Sequence, residues 1–303
     1  MICRNLNALE ITHAGGLQSA FAYGKTRVPL ARQALRTEVA IIPISRHQLC
    51  IGGMATMPTR AHCLPAVLAD ILPQLDRLYL FFDRHDVVPR QFNDHPKIVP
   101  LLPADHGDLA GSGKFLGIGL ESAPCRYFCF DDDIRYPADY VDYLNAALEL
   151  YGFEAVVGIH GADLRPPYRS YLGDRIWAPF GAGLAADRQV DILGTGTCAF
   201  QTGRFRFDPR AWPHTDMCDL LLSIDAAREG LPRIALKRYR NYLSPIEQVQ
   251  KDSVFSALIK DDSRQTLIMR DALPVLCRRG WREARLGAPT EIQFRPWLDA
   301  PRL

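Results

Sequence analysis

Three consecutive carboxylates, Asp131, Asp132 and Asp133, follow the run Tyr127-Phe128-Cys129-Phe130 without a break. A short apolar run that stops abruptly at polar residues reads as a buried strand, which puts the acids where that strand leaves its sheet. In an open α/β sheet the carboxyl ends of the strands are where ligands bind. Adjacent like charges repel, and a cation that neutralises them removes that cost. Mg²⁺ and Mn²⁺ are hard ions that take carboxylate oxygen and bridge to phosphate, so the triplet points to a metal–diphosphate site. It also fits a solvated turn or the approach to a helix, because Pro137-Ala138-Asp139-Tyr140 has the form of a helix start.

The elements around the triplet bear on that choice. Residues 49–56 read as a first strand and Met57-Pro58-Thr59-Arg60 as a turn punctuated by Pro58. Leu64, Val67, Leu68, Ile71, Leu72 and Leu75 recur at helical spacing, predicting a helix over 61–74. Strands are expected at 77–83, 97–102, 127–130 and 155–159, with helices at 115–123 and 136–152. Strands alternating with helices predict an α/β fold with a doubly wound, mostly parallel sheet. The stretch 161–190, rich in Gly, Pro and Arg, reads as a long loop or flap. A Gly-rich strand over 190–200, a helix over 217–229 and a short strand over 234–236 complete the pattern. Three regions follow: an N-terminal extension 1–45 with a short helix at 30–35, a central domain 46–245, and a helical, basic extension 246–303.

Bulk properties narrow the function classes. A chain of 303 residues with 48% hydrophobic and 23% charged residues fits a globular domain, and its net charge of +2 gives no nucleic-acid signal. The eight cysteines are scattered without a Cys-x-x-Cys pair, which disfavours a zinc ribbon and suits buried reduced thiols. No apolar run approaches the ~18 residues of a membrane span, and no signal-peptide core opens the chain, so a cytoplasmic protein is expected. From residue 231 onward basic residues outnumber acidic ones, 14 to 8. The basic run 277–286 reads as a solvated helix face or as a peripheral contact with an anionic membrane or polyanionic acceptor.

The ordered set of motifs carries a resemblance. Ala55-Thr56-Met57-Pro58-Thr59-Arg60, Leu72-Pro73-Gln74-Leu75-Asp76, a strand ending in Asp83, Gly107-Asp108, Gly113-Lys114-Phe115 and the acidic triplet occur in that order. Gly158-Ile159-His160-Gly161, the segment from Asp191 to Thr197 and Met217-Cys218-Asp219 follow. Over residues 48–242 this resembles a GT-A-fold glycosyltransferase, similar to bacterial family-2-like enzymes of surface polysaccharide synthesis. The resemblance implies a nucleotide-sugar donor of the UDP-sugar kind, a glycan or lipid-linked saccharide acceptor, inversion at the anomeric carbon, and Mn²⁺ or Mg²⁺.

Residue roles follow from the same resemblance. Asp131 and Asp133 match the Asp-x-Asp motif, Asp133 as the more direct metal ligand and Asp131 toward the ribose or the metal shell, with Asp132 between them on the donor. The backbone from Thr56 through Pro58 to Arg60 wraps the base and ribose with Arg60 near the phosphate or the uracil edge, Asp83 reads the nucleoside, Lys114 faces the nucleotide, and Gly194, Thr195 and Gly196 let the donor or acceptor sit against backbone. Asp219 is the candidate base, with Asp216 as fallback, because Cys218 stands where an acidic pair is usual. Plainer readings stand beside each: Asp83 and Asp219 as caps or turn residues, Arg60 as a surface residue, the glycines as a bulge. His160 and His214 are candidates to complete the metal shell, and each also reads as structural. Lys114 does not sit in a P-loop pattern. A nucleotidyltransferase-like enzyme and a catalytically inactive nucleotide- or glycan-binding module remain the alternatives.

Overall fold

The computed structural model describes residues 48–246 and 258–277. The chain divides into two units, 1–44 and 45–303, and everything described belongs to the second. The expected helix at 30–35 and the basic run from 278 onward lie outside the described residues.

The first half winds as β1 (Cys50–Thr56), α1 (Leu64–Ile71), β2 (Arg77–Phe82), β3 (Ile98–Leu101), the short α2 (Pro103–His106) and α3 (Gly117–Leu120), then β4 (Arg126–Asp131), β5 (Ile134–Arg135) and α4 (Tyr140–Leu150). The second half adds β6 (Val156–Gly158), β7 (Gly161–Leu164), β8 (Arg175–Ala178), β9 (Arg188–Val190), β10 (Ile192–Leu193), β11 (Cys198–Gln201), α5 (Cys218–Arg228), β12 (Arg233–Ala235), β13 (Ser244–Pro245) and α6 (Ser263–Leu276).

Eight strands form the main sheet in the order β3-β2-β1-β4-β11-β6-β12-β9. Only β11 and β9 run against the rest, so the fold is mixed α/β around a mostly parallel sheet, compatible with a doubly wound arrangement. Both faces are covered, and the strand sequences show why. Leu78, Leu80 and Phe82 of β2, with Phe128 and Phe130 of β4, point toward α1 and α4. Tyr79, Phe81, Tyr127 and Cys129 point the other way, toward α3 and α5. A strand buried on both faces reads as an unbroken apolar run, as 127–130 does. A third cluster lies where Tyr171 and Leu164 meet Met217, Leu220 and Leu221 of the α5 region and Met269 and Leu276 of α6. The described part of the C-terminal region thus packs onto the domain.

Three expectations need correction. The stretch 161–190 is not one long loop: β7 pairs with β10 on one side and β8 on the other in a small antiparallel sheet, and β9 closes the edge of the main sheet. These strands span three or four residues, too short for a period-two pattern, and Pro166, Pro167 and Gly173 fall between them. The expected single strand over 190–200 is split between two sheets, with a 3-10 turn, Thr195–Thr197, between β10 and β11. The expected helix at 115–123 is a 3-10 segment, Ala110–Phe115, followed by the single turn of α3. Gly113 and Gly117 there weaken a helix but let backbone lie directly on the Phe81 and Tyr79 rings.

Among the described residues no helix is long and apolar enough to cross a membrane.

Candidate functional site

The chain leaves β1 for β2 and β3 on one side and returns on the other through β4. That reversal makes the carboxyl ends of β1 and β4 a topological switch point, where open α/β sheets bind ligands. Asp131 ends β4 level with Ala55 of β1, so the acidic triplet opens into this crevice beside Thr56.

Each acid meets a different environment. Asp131 pairs with Lys114, and Asp133 pairs with Arg60, although 17 and 73 residues separate the partners. Both cations are buried, 6% exposed each. Burial opposes their charge, but Asp131 holds the Lys114 ammonium above its ordinary range and Asp133 does the same for Arg60. Burial equally opposes ionisation of Asp131, and Lys114 outweighs it, keeping that carboxyl below its ordinary value. Asp132 is the acid left over: burial, with the like charge of Asp133 adding, pushes it up to about 7. The neutralising charge expected from a metal is therefore in large part supplied by the chain itself.

Backbone packing positions these groups. A Cβ on Gly53 would overlap the Lys114 carbonyl and the Tyr127 hydroxyl, so glycine there lets the 3-10 segment lie on β1. The Tyr127 hydroxyl donates to the Lys114 carbonyl at 2.6 Å. Pro58 opens the 3-10 turn Pro58–Arg60 that aims Arg60 at the crevice. Tyr136 holds the far wall: its hydroxyl accepts from the Asp131 amide at 2.8 Å and donates to the Gly196 carbonyl at 2.6 Å.

The glycines of the 194–197 segment have a use other than the expected one. A Cβ on Gly196 would overlap the Asp131 carboxylate, and one on Gly194 would overlap the His160 ring. Their bare sides are filled by side chains of the same protein rather than left open. His160 lies 2.7 Å from the Thr197 hydroxyl through Nδ1. Burial holds its imidazole below the ordinary value despite the nearby Asp219 and Asp131.

Asp219 sits in the first turn of α5. Its Oδ1 accepts from both the amide and the hydroxyl of Thr195, at 2.8 and 2.7 Å, which aims the carboxylate back toward the crevice rather than capping its own helix. Asp216 instead lies 3.8 Å from Arg264 on α6. His214 makes no hydrogen bond or ion pair among the described residues. Cys218, where an acid was usual, has its Sγ 3.3 Å from the Ser112 hydroxyl, and burial pushes its thiol up to about 11.

At the ends of β1 and β2, the Thr56 hydroxyl and Asp83 Oδ1 are buried without a hydrogen-bond partner. Burial raises the Asp83 carboxyl above its ordinary value. A cavity of about 60 Å³ opens beside Thr56, lined also by Met57, Phe82, His85 and Phe92; one water needs only about 10–15 Å³. A larger groove of about 690 Å³ lies between α1 and the approach to β3 and contains none of the candidate residues.

Two hard carboxylates, Asp131 and Asp133, face the crevice, and among the described residues no group of three or more His, Cys, Asp or Glu side chains is disposed to hold an ion. That donor set suits Mg²⁺ or Mn²⁺ of the kind held by one or two carboxylates and completed by substrate phosphate. Sequence reasoning missed Tyr136 and Tyr127, whose hydroxyls act through backbone partners elsewhere in the chain and leave no local motif. No protein-family model matches this chain, and no curated protein compared with it matches.

Proposed function

We propose that this chain is a GT-A-type glycosyltransferase. It moves a sugar from a nucleoside-diphosphate donor, a UDP-sugar, to a saccharide or lipid-linked glycan, with inversion. The observation that carries the reading is the set of groups at the β1/β4 switch point: two carboxylates, two buried cations, and two buried polar atoms without partners beside them.

In this reading the Thr56 hydroxyl and Asp83 Oδ1 satisfy their missing hydrogen bonds on the nucleoside, which removes the cost of leaving them buried and unpaired. Lys114 and Arg60 face the diphosphate and stabilise the charge that grows on it as the glycosidic bond breaks. Mn²⁺ or Mg²⁺, held by Asp131 and Asp133, would add Lewis-acid stabilisation of the same leaving group. Asp219, oriented by Thr195, takes the proton of the acceptor hydroxyl as its oxygen bonds to the anomeric carbon and the diphosphate departs.

Thermal-shift titration of the full chain with UDP and UDP-sugars, with and without Mn²⁺, followed by product analysis, tests this. Stabilisation by UDP, release of UDP on transfer, and loss of transfer in a folded Asp133→Ala variant are expected. Release of pyrophosphate would make the protein a nucleotidyltransferase. Binding of UDP with no transfer from any donor would make it a binding module, and absence of UDP binding would overturn the reading.

A further inference from the structure

A further cation, Arg175, lies near Asp219 and has no acid paired to it among the described residues. Arg175 opens β8, opposite Leu164 of β7. Its guanidinium carbon is 4.3 Å from the Tyr171 ring centroid and 3.8 Å from that of Trp177. Its Nε is buried without a hydrogen-bond partner, and it forms no ion pair among the described residues. Other arginines also leave an Nε unpartnered, Arg126, Arg188 and Arg238 among them, but Arg126 and Arg188 pair with Glu149 and Asp163, Arg238 gives its Nη donors to backbone carbonyls, and Arg60 pairs with Asp133.

The surroundings hold Arg175 in place. The Tyr171 amide donates to the Thr266 hydroxyl at 2.8 Å, and the Ser170 hydroxyl and Leu172 amide both donate to Asp262, at the start of α6. Tyr171 and Leu164 pack with Met217 and Leu220, the residues flanking Cys218 and Asp219. The guanidinium therefore lies within electrostatic reach of Asp219. Trp177 and Ile176 beside it are 41% and 45% exposed, giving apolar surface next to the guanidinium.

A planar guanidinium with an unpartnered Nε, stiffened by rings and partly stripped of water, suits a carboxylate or phosphate held through paired hydrogen bonds. Its rigidity means little entropy is lost on binding. We propose that Arg175, braced between Tyr171 and Trp177, reads an oxyanion on the acceptor, so that the acceptor is an acidic saccharide whose reacting hydroxyl lies beside Asp219. The proposal rests on the glycosyltransferase reading: Asp219 takes the proton, while Arg175 and Trp177 orient the sugar that supplies it.

The test measures binding to the full chain with UDP saturating, so that the diphosphate site is filled. The probes are glucuronate, glucose 1-phosphate and, as neutral control, glucose. An anionic sugar is expected to bind the wild type more tightly than glucose. Arg175→Gln should weaken that binding about tenfold, the scale of a lost charge-assisted hydrogen bond, with UDP affinity unchanged and Arg175→Lys intermediate. Trp177→Ala, at an exposed position, should weaken all the sugars. Stronger binding of glucuronate marks a uronic-acid acceptor, and stronger binding of glucose 1-phosphate marks a phosphate-linked one. Equal binding of glucose and the anions, or a preference that survives Arg175→Gln, overturns the subsite and leaves the donor reading intact. Failure of the wild type to bind UDP removes the donor reading on which the subsite rests.

Discussion

The crevice and the small sheet treat buried positive charge in opposite ways. At the switch point Lys114 and Arg60 each meet a carboxylate from the acidic triplet. On β8, Arg175 meets two aromatic rings and forms no ion pair among the described residues. A buried ion pair is closed upon itself, and removing one member strands the other. A cation stacked on rings keeps its hydrogen-bond donors in hand. The difference separates charge balanced by the protein's own acids, for which an anionic ligand must compete, from charge with no ion-pair partner among the described residues.

The largest effect belongs to Asp132, the acid of the triplet with no direct ion pair among the described residues. Asp132 titrates at about 7 in the folded protein against an ordinary 3.8, mainly because it is buried. The native state thus keeps a proton that the unfolded chain releases near pH 4. The stability this brings is fully present below that pH, declines as pH rises, and is gone above about 7. The ceiling is about 4 kcal/mol for a shift of roughly three units. Urea unfolding in EDTA at pH 5 and pH 8 should show this loss in the wild type and a flatter profile in Asp132→Asn. Equal slopes would mean that Asp132 is ionised throughout and that the crevice cations serve it too.

Breaking a pair comes next. Lys114→Met keeps the bulk and removes the charge, leaving Asp131 facing a buried pocket. Loss of one member of a buried pair costs about 3–5 kcal/mol. Because the Asp131 side chain is about one-third exposed, solvent reduces this to about 2–3 kcal/mol. Asp131→Asn in the same background should restore part of it, and no restoration would mean that the two side chains do not share their energy.

Gly196→Ala tests the wall behind the same carboxylate. The added methyl must push Asp131 off the backbone, at a cost of about 1–3 kcal/mol typical of overpacking. Gly230→Ala, at a positive φ of 72° with open space around it, is a control in which strain acts without crowding. If the two variants lost stability equally while Gly196→Ala left the Lys114–Asp131 pair intact, the close approach would not be what demands glycine.

The two regions also differ in how far the sequence disclosed them. β1, β2 and β4 are buried on both faces, so residues such as Leu78 to Phe82 form uninterrupted apolar runs that read directly as strands. β7, β8 and β10 span two to four residues, and their pairing depends on partners outside the local sequence, Leu164 with Arg175 and Ala162 with Ile192 among them. The acidic triplet stands out by composition alone. Its pairing with Lys114 and Arg60 does not, because neither separation carries a local signature. Gly194 and Gly196 were visible as glycines, but only the fold shows that His160 and Asp131 occupy the space they leave. Arg175 had no motif at all: its environment comes from Tyr171, four residues earlier, and Trp177, two later, brought onto it by a turn and a strand.

The smallest stability effect is expected where the comparison is sharpest. Arg175→Gln removes a half-buried charge, as Lys114→Met removes a buried one, yet it strands no acid. Two cation–π contacts are lost, each about 0.5–1 kcal/mol where solvent still reaches. Against this, burial already works to disfavour the guanidinium charge and lowers its pKa, so removing the charge relieves a cost. The two terms oppose each other, and the net change should stay within about 1 kcal/mol by urea unfolding. A loss matching that of Lys114→Met would mean that Arg175 is committed to an acid within the fold, and the contrast between closed and available charge would fail at its clearest point.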